Sequence, residues 1–345
     1  MMKSKKAAAA LLSLSLLGTC AWAQNVKITP LGSHPGELCD RDRATIFEDP
    51  TGVRILYDAG QTVMGANDPR LGTVHAVLLS HAHGDHMGDR KMAALNAGTC
   101  DKPETISAAP NSTTAEIAAA KNSALVMIAS TTAFLGKKIE NIRGKPTAAC
   151  AMDGITIAAV QAAPCLASIH LGGTRIIKAA GAARGVEITS VFASHDARVA
   201  RDLLTDAQQK GVAPDNLNVS LDPPIGYVLK FTNGLRVYMS GDTGLHSEMQ
   251  TVIRAFHKPN LVLMNLGLAA ILPESAAFAI NEMLRPASVI VSHVNEAATA
   301  DGVLRPNTYT KAFIDQVKGR PVYLGISGKT LEFDGSGTCM AGGCY

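Results

Sequence analysis

Beyond its first two dozen positions the chain has no run of about 20 apolar residues, so nothing there is built to span a hydrocarbon layer of about 30 Å. Charge is also sparse. Charged residues make up 18% against 47% hydrophobic, which excludes a disordered or fibrous chain and indicates a globular, core-forming one. The formal net charge is only +3, with no basic field, so nucleic acid is not an expected partner. No internal repeat and no Pro-rich or Ser-rich linker divides the 345 residues, which leaves one large domain as the simpler arrangement. G-x-S-x-G is absent, as is C-x-x-C spacing, which argues against a serine nucleophile elbow and a thiolate metal site.

What the sequence does have begins with an export pattern. Lys3, Lys5 and Lys6 precede an apolar run from Ala7 to Gly18, and Ala21-Trp22-Ala23 forms an A-x-A cleavage site. Residues 1–23 therefore read as a signal peptide, giving a mature chain from near Gln24 in the periplasm or outside the cell, with no membrane anchor. Leu17-Gly18-Thr19-Cys20 is the competing pattern, a lipoprotein box in which Thr19 replaces the usual small residue. Cleavage removes three of the 32 basic side chains and none of the 29 acidic ones, so the remaining charges balance. Six cysteines stay: Cys39, Cys100, Cys150, Cys165, Cys339 and Cys344. An even set in an oxidising compartment predicts disulfides, although six cysteines allow 15 connectivities. The local pairs are Cys150 with Cys165 and Cys339 with Cys344; buried free thiols are the alternative.

Short apolar runs punctuated by Gly, Pro, Asn and Asp predict strands near 26–31, 44–47, 53–57 and 74–79. The Ala-, Ser- and Thr-rich stretch at about 89–145 reads as an insertion, with a capping box at Thr113-x-x-Glu116 opening a helix that runs to Ala129. Strands resume at 155–160, 174–178, 186–192, 227–231, 235–239, 261–265, 288–291 and 321–324. Helical stretches at 197–210, 247–256, 274–284 and 308–317 lie among them, giving an α/β layered protein.

The densest chemistry is His81-Ala82-His83-Gly84-Asp85-His86, four metal-ligand side chains in six positions. Imidazole and carboxylate are ligands of first-row divalent metals, and Gly84 is expected to let the chain turn between donors. The setting recurs along the chain. Val77-Leu78-Leu79-Ser80 runs into His81, Val191-Phe192-Ala193-Ser194 into His195, Tyr238-Met239-Ser240-Gly241 into Asp242, and Val289-Ile290-Val291-Ser292 into His293. Strand ends of one sheet lie side by side, so four segments can deliver donors to one edge.

The set H-x-H-x-D-H, a later strand-end histidine, S-G-D-T-G and a final strand-end histidine resembles the metallo-β-lactamase superfamily. The early Leu56-Tyr57-Asp58-Ala59-Gly60 adds to the likeness. Within that superfamily the chain is most similar to the ascorbate-6-phosphate lactonase-like branch. The resemblance implies a four-layer αββα sandwich over 24–345, and two divalent metal ions, Zn2+ by default with Mn2+ or Fe2+ as alternatives. It implies that His81, His83 and His195 bind the first metal, that Asp85, His86 and His293 bind the second, and that Asp242 bridges. Asp85 and Asp242 would be the catalytic carboxylates and Asp58 a support for the histidine loop. His246 is a candidate substrate contact, and His170 competes with His195 as a ligand. Two metals sharing a hydroxide would attack a small-molecule ester or lactone, with a phosphodiester and then a β-lactam as alternatives. A metal-binding protein without catalysis is the reading from another class.

Overall fold

A computed structural model of the chain describes residues 25–344, so the signal segment lies outside the described residues. Two large sheets form its centre. The first has eight strands in the order Cys165–Leu166, Ala124–Leu125, Ala76–Leu78, Arg54–Tyr57, Ala44–Glu48, Val26–Leu31, Leu331–Phe333 and Cys339–Gly342. The second has nine: Val322–Leu324, Ser288–Val294, Leu261–Leu266, Arg236–Met239, Ile225–Lys230, Val186–Phe192, Thr174–Lys178, Thr156–Ala158 and Met152–Asp153.

Side-chain alternation explains the layering. Successive residues of a strand face opposite ways, so a strand apolar at every position is covered on both faces. Ile55 and Tyr57 enter one central core together with Leu261 and Leu263 of the other sheet, and Phe47 stacks on Phe231 across the gap. Leu56 and Val77 point the other way, against Ile117 of helix Thr113–Lys121 and Leu135 and Ile139 of helix Ala129–Arg143. Val262 and Met264 likewise point outward, packing with Ile253, Ile280 and Phe313 of the helical segments Met249–His257, Ala279–Leu284 and Tyr309–Gln316. Helix, sheet, sheet, helix is the αββα order.

The stretch 89–145 is not a single appended insertion. Only its first part stands apart, as a hairpin of Arg90–Met92 with Thr105–Ser107. Ala124–Leu125 is instead an inner strand of the first sheet, parallel to both Ala76–Leu78 and Cys165–Leu166. The expected helix to Ala129 ends at Lys121, where Asn122 takes a left-handed φ of 53° and redirects the chain into that strand. Its cap is Ser112, whose side chain accepts from the Ala115 N–H at 3.2 Å, while Thr113 donates its hydroxyl to the Arg90 carbonyl. The helix expected at 197–210 is reduced to a turn at Arg201–Leu203 and helix Asp206–Val212. Among the described residues three disulfides are present: Cys150–Cys165, Cys339–Cys344, and the long-range Cys39–Cys100, which ties the segment before strand Ala44–Glu48 to the 90–107 hairpin.

Candidate metal centre

Both sheets send residues to a common edge. From the first come Asp58, directly after strand Arg54–Tyr57, and the loop from Ser80 to His86 after strand Ala76–Leu78. From the second come His195, Asp242 and His293. Tyr227 of the second sheet donates its hydroxyl to the Leu79 carbonyl at 3.0 Å, which fixes the start of the histidine loop against that sheet. At Gly241 the backbone has a φ of +61°, and a Cβ there would lie 2.7 Å from the Ile225 carbonyl oxygen, so only glycine fits the turn into Asp242. Gly84 acts differently from the expectation. It has no left-handed backbone and instead opens the short helix Gly84–Met87, where a Cβ would meet the Asp89 carboxylate at 2.4 Å and Ala200 at 2.9 Å. Close approach, not a sharp turn, is what requires glycine there.

The seven expected donors fall into three overlapping groups whose ligand atoms lie within 4.8 Å of one another: His81, His83 and His195; His81, His86 and Asp242; Asp85, His86 and His293. Asp242 stands between them. Its Oδ1 lies 3.2 Å from both His86 Nε2 and His293 Nε2, and its Oδ2 lies 3.7 Å from His195 Nε2. Asn265 donates to Oδ1 at 3.0 Å and so sets the carboxylate's rotation.

Behind the donors sits Asp58, fully buried at a φ of 44°. One of its oxygens accepts the Ser80 N–H at 2.7 Å, and the other accepts the Ser80 hydroxyl at 2.7 Å and the His86 Nδ1–H at 2.8 Å. Ser80 Oγ is also 2.9 Å from His81 Nδ1. These bonds occupy the Nδ1 side of both imidazoles and leave Nε2 turned to the cluster, the tautomer a metal ligand requires. His83 pairs through Nε2 with Asp196, which leaves its Nδ1. His293 adopts a left-handed φ of 49°, a conformation costing on the order of 1 kcal/mol in a non-glycine residue and one that gathers at functional sites.

The electrostatics are those of a site that wants a cation. Burial pushes Asp242 upward, but His293 and His86 outweigh it and hold the carboxylate well below its ordinary range. Asp85 is likewise held low, against its burial, by Arg43, His86 and His293. Burial opposes charge on His86, yet Asp242, Asp58 and Asp85 raise it to about 10. Burial lowers His81, His195 and His293. His81 Nε2 is buried with no hydrogen-bond partner, and His86 Nε2 faces His293 Nε2 at 3.0 Å. An orphaned imidazole nitrogen among the imidazole and carboxylate groups of the cluster fits a divalent metal ion. The donors are imidazole and carboxylate throughout, the set of Zn2+, Mn2+ or Fe2+.

Of the remaining candidates, His170 is exposed and belongs to none of the three donor groups. His246 packs edge-on against Phe192, with ring centroids 5.1 Å apart, and both its ring nitrogens are buried without partners. Sequence reasoning missed Arg43, Asp196 and Asn265. Asn265 carries the same signal as the donors, a polar residue late in an apolar strand, and Asp196 directly follows His195. Arg43 sits in a run of alternating charges, Asp40-Arg41-Asp42-Arg43, that marks out no single member.

No family model matches the chain. It is 24% identical over 303 residues to a UPF0173 metal-dependent hydrolase of Cupriavidus taiwanensis, covering 84% of this chain and 87% of that one. A UPF0173 metal-dependent hydrolase of Polaromonas sp. is 32% identical over 134 residues, which is 39% of this chain and 45% of that one. Among solved structures, Igni18, a metallo hydrolase from the hyperthermophilic archaeon Ignicoccus hospitalis, superposes with a TM-score of 0.52 at 20% identity, over 90% of this chain and 99% of that one. It shares the fold. The likeness to the ascorbate-6-phosphate lactonase-like branch gains no support from these relatives. With two sheets between helical layers and the H-x-H-x-D-H loop at their edge, the chain has the metallo-β-lactamase fold, and the relatives it resembles are metal-dependent hydrolases.

Proposed function

We propose that the chain is a metal-dependent hydrolase that uses two divalent metal ions to cleave an ester- or lactone-type bond in a small molecule. The observation that carries this reading is Asp242, whose two carboxylate oxygens divide between the His86–His293 group and His195. In the proposed assignment His81, His83 and His195 hold the first ion, Asp85, His86 and His293 the second, and Asp242 both. Bound there, the metals would supply an activated water and Lewis acidity at the electrophilic carbon.

The chain's own residues do the rest. Asp58 and Ser80 fix the tautomers of His81 and His86, Asp196 fixes His83, and Asn265 holds Asp242, so little reorganisation is left for the reaction. Asp85, on the one-turn helix Gly84–Met87, is a third exposed along its side chain and is the carboxylate of the pair open to substrate; Asp242 is nearly closed off. His246, beside the strand that leads to His195, is the proposed substrate contact, its two free nitrogens able to donate or accept. A carboxylate at position 242 favours this class over β-lactam cleavage, because β-lactamases of this superfamily place Cys or Ser there.

Export is part of the proposal. The basic and apolar start of the chain supports it, as do three disulfides, which persist in oxidising compartments. Elemental analysis of the purified protein, coupled to a panel of esters, lactones, phosphodiesters and β-lactams, tests metal and reaction class together. About two ions per chain with ester or lactone turnover is the expected result. Bound metal with no turnover on the whole panel would favour a non-catalytic metal-binding protein.

A further inference from the structure

Arg43 precedes strand Ala44–Glu48 and turns inward, 2% exposed, beneath the second group of donors. One arm of its guanidinium, Nη2, lies 2.9 Å from His293 Nε2 and 3.0 Å from Asp85 Oδ2. Its other arm, Nη1, donates to the Asp85 carbonyl at 3.0 Å. Guanidinium has no lone pair and keeps its charge at any working pH, so it can only donate. Its hydrogens therefore point at the same His293 lone pair and the same Asp85 oxygen that a second metal would use. Among the described residues no guanidinium or ammonium pairs with a donor of the first group. His81 Nε2 is free, and the cationic side chain nearest to His83 in the chain's ion pairs is Arg198, which reaches it only through Asp196.

We infer that Arg43 is a built-in occupant of the second metal position. It holds Asp85 and His293 in place when that ion is absent and makes the two positions load with unequal affinity. The inference rests on the two-metal reading and adds an order of loading to it. The His81–His83–His195 ion binds first and tightly. The second ion must take two donors from Arg43 and sit beside its charge, so it binds weakly and exchanges readily. Arg43 is a positioning residue here, since it acts on donors and on no substrate atom.

The test is Zn2+ titration of the chelator-stripped full chain, by equilibrium dialysis with elemental analysis, in the unaltered protein and in Arg43→Met and Arg43→Lys. The unaltered protein should show two dissociation constants at least about tenfold apart. Arg43→Met removes the charge and the fork at similar length, and should tighten the second ion by about tenfold or more while leaving the first unchanged. Arg43→Lys keeps the charge and should leave the second ion weak. Two ions of equal affinity in the unaltered protein would overturn the inference while sparing the two-metal reading. So would a second ion that is weakened or unmoved in Arg43→Met, since a purely structural clamp gives that sign. If Arg43→Met does not fold, the two constants of the unaltered protein and of Arg43→Lys still decide it. Failure of the unaltered protein to take up any ion at these residues would instead sink the two-metal reading, and the inference with it.

Discussion

Asp242→Ala is the most incisive perturbation of the proposed centre. The residue is 7% exposed, and loss of its side chain removes at once the oxygen 3.2 Å from His86 and His293 and the oxygen 3.7 Å from His195. Removing a residue that merely supports a ligand costs about 10–100-fold in metal affinity, so a direct shared ligand should cost at least the upper figure. Two decades correspond to about 2.7 kcal/mol. The loss falls mainly on the second ion, because the first keeps His81, His83 and His195. The fold should survive, since the strand leading to Asp242 is anchored by Val237 and Met239 in the core between the sheets. Elemental analysis after equilibration at a free Zn2+ concentration that loads both ions of the unaltered protein should find about one ion per chain, circular dichroism should be unchanged, and turnover should fall by orders of magnitude. Two retained ions together with near-normal turnover would refute the assigned bridge and the mapping of the site built around it.

Asp58→Ala should weaken metal binding by about 10–100-fold through misplaced imidazoles, read by competition with a chromophoric chelator; unchanged affinity would show that Asp58 is only a turn residue. His86, raised from 6.5 to about 10 in the metal-free protein, is protonated at pH 8 and must lose that proton to bind a metal, so calorimetry in buffers of different ionisation enthalpy should detect proton release. A heat independent of buffer would contradict this. By the same linkage, the imidazolium's contribution to metal-free stability is complete below pH 6.5 and is lost as the pH rises through about 10, so the metal-free Tm should decline across that window. His170→Ala, at an exposed position, should leave metal content and rate unchanged; a lost ion would place it among the ligands. Thiol labelling under denaturing, non-reducing conditions should find none of the cysteines from Cys39 to Cys344 reactive, and any labelled one would mark a bond that does not form.

The strands that were legible are those whose burial is dictated by their own composition. The run 261–264 in strand Leu261–Leu266 is apolar at every position because both faces are covered, and a continuous apolar run needs no partner to be recognised. The strands Leu331–Phe333 and Ala124–Leu125 were not legible. They are three and two residues long, and their place depends on neighbours far away in the sequence: Leu331 pairs with Ile28 and Ala124 with Ala76. The end of helix Thr113–Lys121 was missed for a related reason, since Ala-rich sequence favours helix locally and only the sheet's demand for a strand at 124 stops it.

The donors were legible because chemistry and position coincide in each: a ligand-type side chain, immediately after an apolar run. The residues that tune them were harder to read because they satisfy only half of that rule. Arg43 is not a ligand type, and Asp196 is one step beyond a strand end already claimed by His195. Yet these residues explain how the chain folds before any metal arrives. Asp58, Asp85 and Asp242 lie within a few ångströms of one another's partners at the sheet edge, and unpaired carboxylates so enclosed would be costly. Arg43 pairs with Asp85, His86 lies between Asp58 and Asp242, and hydrogen bonds from Ser80 and Asn265 complete the carboxylates' partners. A metal entering the second position would therefore displace a cation already in place, and its affinity would depend on how firmly Arg43 is held.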